Sequence, residues 1–310
     1  MNRTRLNLLL AVGLALAATF ALWERRHGPP PAPALPGPAA AQVTGIRIEN
    51  RHGQAHLERH GEDWRLAGQP PLPAARGRVD DLLSLARARI ERQYPADQGD
   101  PKALGFAPPR ATVTWEPSGF RVEIGGTEPV EGLRYVRLGD RIALIPDYLA
   151  QPALEDPVEL VSHRLLPRGA DPVEIQTPKV HLQRGKDGRW SLVGAAGRTV
   201  SRDRINTYLD DWRYARALGV ERLAGKPPKG LPVWRVRLAD GRTLRFLLQD
   251  EPARPTRLLR TDLHLAYEIT THLRDQLVAL PPAPAQGKAG ADGHAGKAGT
   301  NPPTAPPESR

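Results

Sequence analysis

The sequence predicts an α+β fold: one N-terminal transmembrane helix, then two tandem antiparallel-sheet lobes, each with a single covering helix. Three observations carry that expectation. Leu6 to Trp23 is an unbroken apolar run, LNLLLAVGLALAATFALW, with arginines on both sides. Behind it, the spacing of apolar residues changes twice from every second residue to every third and fourth, the mark of strands followed by a helix. The pattern of the first half also returns in the second at an offset of about 125 residues, which signals an internal repeat.

As a helix the apolar run spans about 27 Å, close to the roughly 30 Å hydrocarbon core of a bilayer. Ala15-Leu16-Ala17 offers an alternative, a small-residue cleavage site that would make Met1 to Ala17 a removable signal peptide. The run continues unchanged through Leu22 to Trp23, an aromatic suited to the headgroup level, so retention as an anchor over residues 1–27 is the expectation. Arg3 and Arg5 precede the span and Arg25 and Arg26 follow it. A short basic tail ahead of a signal-anchor places the N-terminus inside and the bulk of the chain outside, in the periplasm of a bacterial inner membrane.

Residues 28–41, GPPPAPALPGPAAA, form a Pro/Ala-rich linker with extended character. The first repeat then runs over 42–166. Val43, Ile46 and Ile48 alternate as a strand, and His56-Leu57-Glu58-Arg59, Gly61 and Trp64-Arg65-Leu66 read as a hairpin. Val79, Leu82, Leu83, Ala86 and Ile90 share one helical face, with Arg76, Arg87 and Arg89 off it. Leu104 to Pro109 end the helical pattern, and three further strand signals follow: Ala111, Val113 and Trp115; Val122 and Ile124; and Arg134 to Arg137, with Ile142 to Ile145 after them.

The second repeat, 172–280, follows the break at Leu166-Pro167-Arg168-Gly169-Ala170-Asp171-Pro172. Val173 and Ile175 answer the first strand, and His181-Leu182-Gln183-Arg184 with Trp190-Ser191-Leu192 answer the hairpin. Ile205, Tyr208, Leu209, Trp212 and Ala215 form the second helical stripe, with Ser201 at its N-cap. Trp234, Val236 and Leu238 are paired with Ala111, Val113 and Trp115, and Arg257 to Arg260 with Arg134 to Arg137. Leu265 to Ile269 closes the series. Short turns between successive strands demand antiparallel pairing. Residues 281–310 contain almost no bulky apolar side chain and read as a disordered tail.

The chain has no cysteine, which removes disulfides, thiolate metal sites and a cysteine nucleophile. Its formal charge of +10 would suggest nucleic acid in a cytosolic protein. Only seven of its 44 basic residues are lysines, however, and the chain is rich in Ala, Pro and Gly, as a G- and C-rich coding bias produces. Behind an anchor, the acidic partners expected are lipid headgroups, an anionic envelope polymer or another envelope protein, and no nucleic acid.

Val43 to Glu49, the Leu57 to Leu66 hairpin, the helix from Val79, Leu104-Gly105-Phe106-Ala107-Pro108-Pro109-Arg110-Ala111-Thr112-Val113-Thr114 and Arg134-Tyr135-Val136-Arg137 together resemble a bacterial family known as domain of unknown function 4340. The resemblance covers Val43 to about Leu166, and the second half only through its likeness to the first, which implies two tandem copies. It further implies an envelope protein with one N-terminal anchor, in some cases associated with ABC-type transport systems. No catalytic residue comes with it.

His52, His56 and His60 recur every four residues, but on a strand such positions stand some 13 Å apart, too far for one metal. Asp80 with Asp81, Asp210 with Asp211 and Glu155 with Asp156 are adjacent pairs, and adjacent helical residues do not face the same way. Ser118 and Ser162 lack a glycine elbow, even with His163 beside the latter. No catalytic, cofactor or metal residue is therefore expected. Arg235 and Arg237 alternate with Trp234, Val236 and Leu238, and Arg245 lies between Leu244 and Phe246, so these arginines should share the solvent face of one sheet. Arg257 and Arg260 extend the expected partner-binding set. The function expected is non-enzymatic, an accessory or scaffold component of an ABC-type transport or envelope-assembly system; an envelope hydrolase or a binding module for an anionic envelope polymer are the alternatives.

Overall fold

The computed structural model describes residues 33–194, 200–252 and 254–282. Among these, no helix is long and apolar enough to cross a membrane. The expected anchor, the first residues of the linker and the tail from residue 283 lie outside the described residues. The described chain is mostly β, two antiparallel sheets with few helices.

The first sheet contains β1 (Gly45–Asn50), β2 (Gly53–His60), β3 (Asp63–Leu66), β4 (Leu72–Pro73), β5 (Arg92–Pro95), β6 (Ala111–Glu116), β7 (Phe120–Thr127), β8 (Arg134–Leu138) and β9 (Arg141–Ile145), in the order β4-β3-β2-β1-β6-β7-β8-β9-β5. Helix α1 (Arg76–Leu85) separates β4 from β5, and the single turn α2 (Gln151–Leu154) follows β9. The second sheet holds β10 (Pro172–Gln176), β11 (His181–Arg184), β12 (Trp190–Leu192), β13 (Gly219–Arg222), β14 (Val233–Leu238), β15 (Thr243–Gln249), β16 (Thr256–Arg260) and β17 (Leu265–Ile269), ordered β12-β11-β10-β14-β15-β16-β17-β13. Its helices are α3 (Arg202–Tyr214), between β12 and β13, and α4 (Thr271–Val278) at the end. From β3 and β12 onward the two orders correspond strand for strand.

In each sheet the helix carries the chain to the far edge, where β5 pairs with β9 and β13 with β17. The sequence reading missed both edge strands. They are four residues long and mostly polar, so no apolar alternation announces them. The helices are shorter than their apolar stripes: α1 ends at Leu85 and α3 at Tyr214. Ala86, Ile90 and Ala215 are buried beyond those ends, so the run from Leu104 follows β5 rather than the helix. Ser201 occupies the N-cap of α3 without a side-chain hydrogen bond.

The linker from Pro33 onward is packed. Leu35 is buried; its N–H donates to Ala88 O at 2.9 Å, that of Gly37 to Ala86 O at 3.0 Å, and Ile90 N–H returns a bond to Pro33 O at 2.7 Å. A Cβ on Gly37 would lie 2.1 Å from Ala86 O, so only glycine passes there. The second half has the same device: Leu165 N–H donates to Ala215 O at 3.2 Å and Ala217 N–H to His163 O at 2.8 Å. Residues 163–165, at the end of the expected first repeat, thus lie alongside the helix exit of the second half. One buried apolar cluster runs through both sheets, from Leu35 to Leu277.

The register corrects the sequence pairing of the halves. Ile46 faces Leu57 and Trp115, and Ile175 faces Leu182 and Val236, so Trp115 stands where the second sheet has Val236 and Val113 where it has Trp234. The expected match was two residues out, and β10 carries an irregularity between Pro172 and Glu174. Trp64 and Trp190 do occupy equivalent positions, opposite Arg59 and Arg184, but Trp64 is buried whereas Trp190 is only half-buried.

Candidate functional site

Alternation along β14 and β15 sets the outer face of the second sheet. Trp234, Val236, Leu244 and Phe246 point into the core, while Arg235, Arg237 and Arg245 are exposed. The pairing places Arg235 directly opposite Arg245. Like charges directly opposite on one sheet face destabilise it. Arg235 donates from Nη1 to Gln176 Oε1 at 3.4 Å, and neither arginine forms an ion pair among the described residues. Arg237 differs, because its Nε lies 2.8 Å from Glu174 Oε2 on the neighbouring β10. Half-exposed Arg257 pairs with Glu221 at 3.2 Å. The outer face is therefore partly neutralised by carboxylates from other strands, Glu174 on adjacent β10 and Glu221 on β13, two strands from Arg257, which reading along one strand could not reveal.

Arg260 does not belong to this face. Residues three apart on a strand point oppositely, so Arg257 shares the outer face with Leu259 while Arg260 shares the inner face with Leu258. Arg260 is 6% exposed, makes a two-pronged contact with Asp262 at 2.9 and 2.7 Å, and stacks 5.2 Å above the Phe246 ring. Its hydrogen bonds hold the Asp262 carboxyl below its ordinary range against the opposing effect of burial.

The histidines fall into separate settings. His52 Nε2 accepts from Arg51 Nε at 2.9 Å in the β1–β2 turn, and His60 lies 3.7 Å from Glu58. His56 Nε2 lies 3.3 Å from Glu116, which Arg47 also pairs. Its counterpart His181 lies 2.7 Å from Glu174, the carboxylate that Arg237 holds. Both carboxyls are held below their usual range, Glu116 chiefly by Arg47 and Glu174 chiefly by His181. Each half thus has a His–carboxylate–Arg cluster at the same place on its outer face. Among the described residues no group of three ligating side chains converges on a metal position.

The serines and paired carboxylates serve local structure. Ser118 Oγ donates to Trp115 O and accepts from Phe120 N–H, closing the β6–β7 turn. Ser162 Oγ accepts from Arg164 N–H. Asp156 accepts from Val158 N–H at the start of a short helical turn, and Glu155 pairs with Arg78 at 2.9 Å. Asp80 pairs with Arg76 and Asp210 with Arg213 along their helices. Burial, then the Asp210 charge, pushes Asp211 above its ordinary range.

A second surface escaped the sequence reading. An open cleft of about 1120 Å³ lies at one end of the first sheet, with Arg51 and Arg110 among its cationic lining, His52 beside them, and Glu155, Asp156 and Glu159 among its anionic lining. Asn50 ties its walls together, donating from Nδ2 to Ala153 O and Glu155 O at 2.9 and 2.8 Å. Its lining also includes Pro108 and Pro109 of the proline-proline-arginine run. That run is fixed by its neighbours: Gly126 N–H donates to Leu104 O at 2.7 Å, and buried Phe106 packs on Gly125 beneath the Arg137 guanidinium. The lining comes from four separate stretches of chain, so only the run itself left a sequence signal.

These features define a two-sheet antiparallel protein with charged outer surfaces. Residues 64–231 match the sequence model of DUF4340, a domain of unknown function, and the chain belongs to that family. The match is a single copy that begins at β3 and ends ahead of β14, straddling both halves, whereas the resemblance read from sequence stopped near Leu166. No curated protein and no solved structure matches the chain.

Proposed function

We propose that this chain is a membrane-tethered envelope protein that acts by binding an anionic partner, as an accessory or scaffold component of a transport or envelope-assembly system. Its two halves are tandem copies of one unit in this reading, which the corresponding strand orders support, together with the matching straps, residues 33–37 and 163–165, that hydrogen-bond to the chain beyond each helix. The tether is Leu6 to Trp23, with the sheets on the periplasmic side. The observation that carries the binding role is the Arg235–Arg245 pair: two exposed guanidinium groups in direct register, with no ion pair to either among the described residues. Such a pair is unfavourable on its own and is relieved by an anion lying across it.

The test is crosslinking in intact membranes followed by recovery of the full chain, wild type against Arg235→Gln/Arg245→Gln. The expected result is loss of the co-recovered partner in the variant, and a steeper salt dependence of recovery for wild type, because exposed charges act over a Debye length of about 8 Å. Equal recovery and equal salt response would remove these arginines from the binding role. An anionic polymer rather than a protein would appear as carbohydrate or phosphate in the recovered material.

A further inference from the structure

The docked strap limits how far the first sheet can stand from the bilayer. Ten peptide steps separate Trp23 from Pro33, a reach of about 35 Å at full extension. Pro33 is held by Ile90 N–H at 2.7 Å, and Ala34 bridges to Arg89. The chain therefore enters the fold beside the edge strand β5, and the margin around that entry is the part of the molecule nearest the membrane. Its exposed side chains suit a headgroup layer. Arg87, Arg89 and Arg92 are exposed; Arg87 forms no ion pair among the described residues, while Arg89 pairs at 3.2 Å with Glu91. Arg92 pairs at 2.9 Å with Glu131, and this contact places the turn bearing Val130 beside the same edge. Val130 is 84% exposed, the most exposed large apolar side chain described. Arg25 and Arg26 add charge in the connecting stretch.

We infer that the β5 margin of the first sheet, with Arg87, Arg89, Arg92 and Val130, is a docking surface for an anionic lipid bilayer. The inference rests on reading Leu6 to Trp23 as a retained anchor. Arginines there engage lipid phosphates, and Val130 reaches the headgroup layer. The opposite ends of the strands, including the β2–β3 turn at Gly61 and Glu62, face away.

The chain has no cysteine, so Val130→Cys and Glu62→Cys each accept a single environment-sensitive probe. Both full-length proteins are reconstituted in vesicles of phosphatidylethanolamine with phosphatidylglycerol, and in phosphatidylcholine alone, with nitroxide-headgroup lipid as quencher. The expected result is that the probe at position 130 loses most of its emission in anionic vesicles and less in neutral ones, while the probe at 62 is unchanged in both. Adding Arg87→Gln and Arg89→Gln should abolish the difference between the two lipids. Equal quenching at 130 and 62 in a chain that withstands a carbonate wash would overturn the surface and leave the anchor standing. Release of the chain by that wash would overturn the anchor and the surface with it.

Discussion

At one matched position on their outer faces the two sheets differ in kind. Thr114 faces Arg121 in the first, and Arg121 has Glu123 at 3.6 Å; in the second, Arg235 faces Arg245 with no carboxylate among the described residues paired to either. Similar backbones thus carry a neutralised surface in one half and an unrelieved cationic pair in the other. The difference teaches that the shared strand order serves folding, while the departures from it mark where a partner is to be sought.

The cores differ as well. Trp115 Nε1 donates to Leu82 O at 3.0 Å, satisfying one of the last four carbonyls of α1, which helix geometry leaves without an intrahelical partner. Trp234 is equally buried and packs edge-on against Trp212 with ring centres 5.9 Å apart, yet its indole N–H has no partner among the described residues. Trp115→Phe should therefore cost about 1–3 kcal/mol beyond its lost volume, because a carbonyl is left unsatisfied. Trp234→Phe should cost measurably less. Paired denaturant titrations test the asymmetry, and equal losses would break it.

The straps offer the next contrast. Gly37 lies where a Cβ would collide with Ala86 O, whereas the second strap matches the first only at Leu165 and Leu35, whose N–H groups donate to Ala215 O and Ala88 O. Gly37→Val should dislodge the first strap at a cost of about 1–2 kcal/mol, within the ordinary range for a single substitution. Hydrogen exchange should quicken at Leu35 and Ile90 and stay unchanged at Leu165 and Ala217. Uniform quickening in both halves would mean that the straps are one cooperative element.

Where the halves agree, they should titrate alike. Glu116 and Glu174 both have carboxyls depressed below the unfolded value, so each contributes stability that is present above that value and lost as pH falls through the folded one. Glu116→Gln and Glu174→Gln should each flatten the acid limb of a stability–pH curve, below the ordinary carboxylate range. A change in only one variant would show that the His–carboxylate–Arg clusters are not equivalent.

Much of this arrangement was legible in the sequence. Period-two alternation in β1, β6, β7, β14 and β15 and the stripes of α1 and α3 marked the layers, because each has one buried face. The edge strands β5 and β13 were invisible for lack of such a face. Leu35 was hidden in a proline- and alanine-rich stretch that composition alone reads as a spacer. For the arginine surface, alternation placed Arg235, Arg237 and Arg245 correctly but could not show Glu174 arriving from β10. Arg260 was assignable from strand parity alone, and only the strand's bounds were needed to exclude it from the outer face. The cleft needed tertiary structure, since Asn50, Arg110, Gln151 and Glu159 are separated along the chain.

The smallest effect bears most directly on the central claim, that the Arg235–Arg245 pair is kept for an anion. Arg235→Thr gives the second sheet the residue found at Thr114 and removes the facing charge. Thermal unfolding of wild type and Arg235→Thr, with and without tripolyphosphate at constant ionic strength, is the measurement. The account predicts that the variant is more stable than wild type in the absence of anion, by up to about 1 kcal/mol. It also predicts that tripolyphosphate raises the midpoint of wild type only, since a ligand stabilises the state that binds it. Equal midpoint shifts in both proteins, or a variant less stable than wild type without anion, would contradict it.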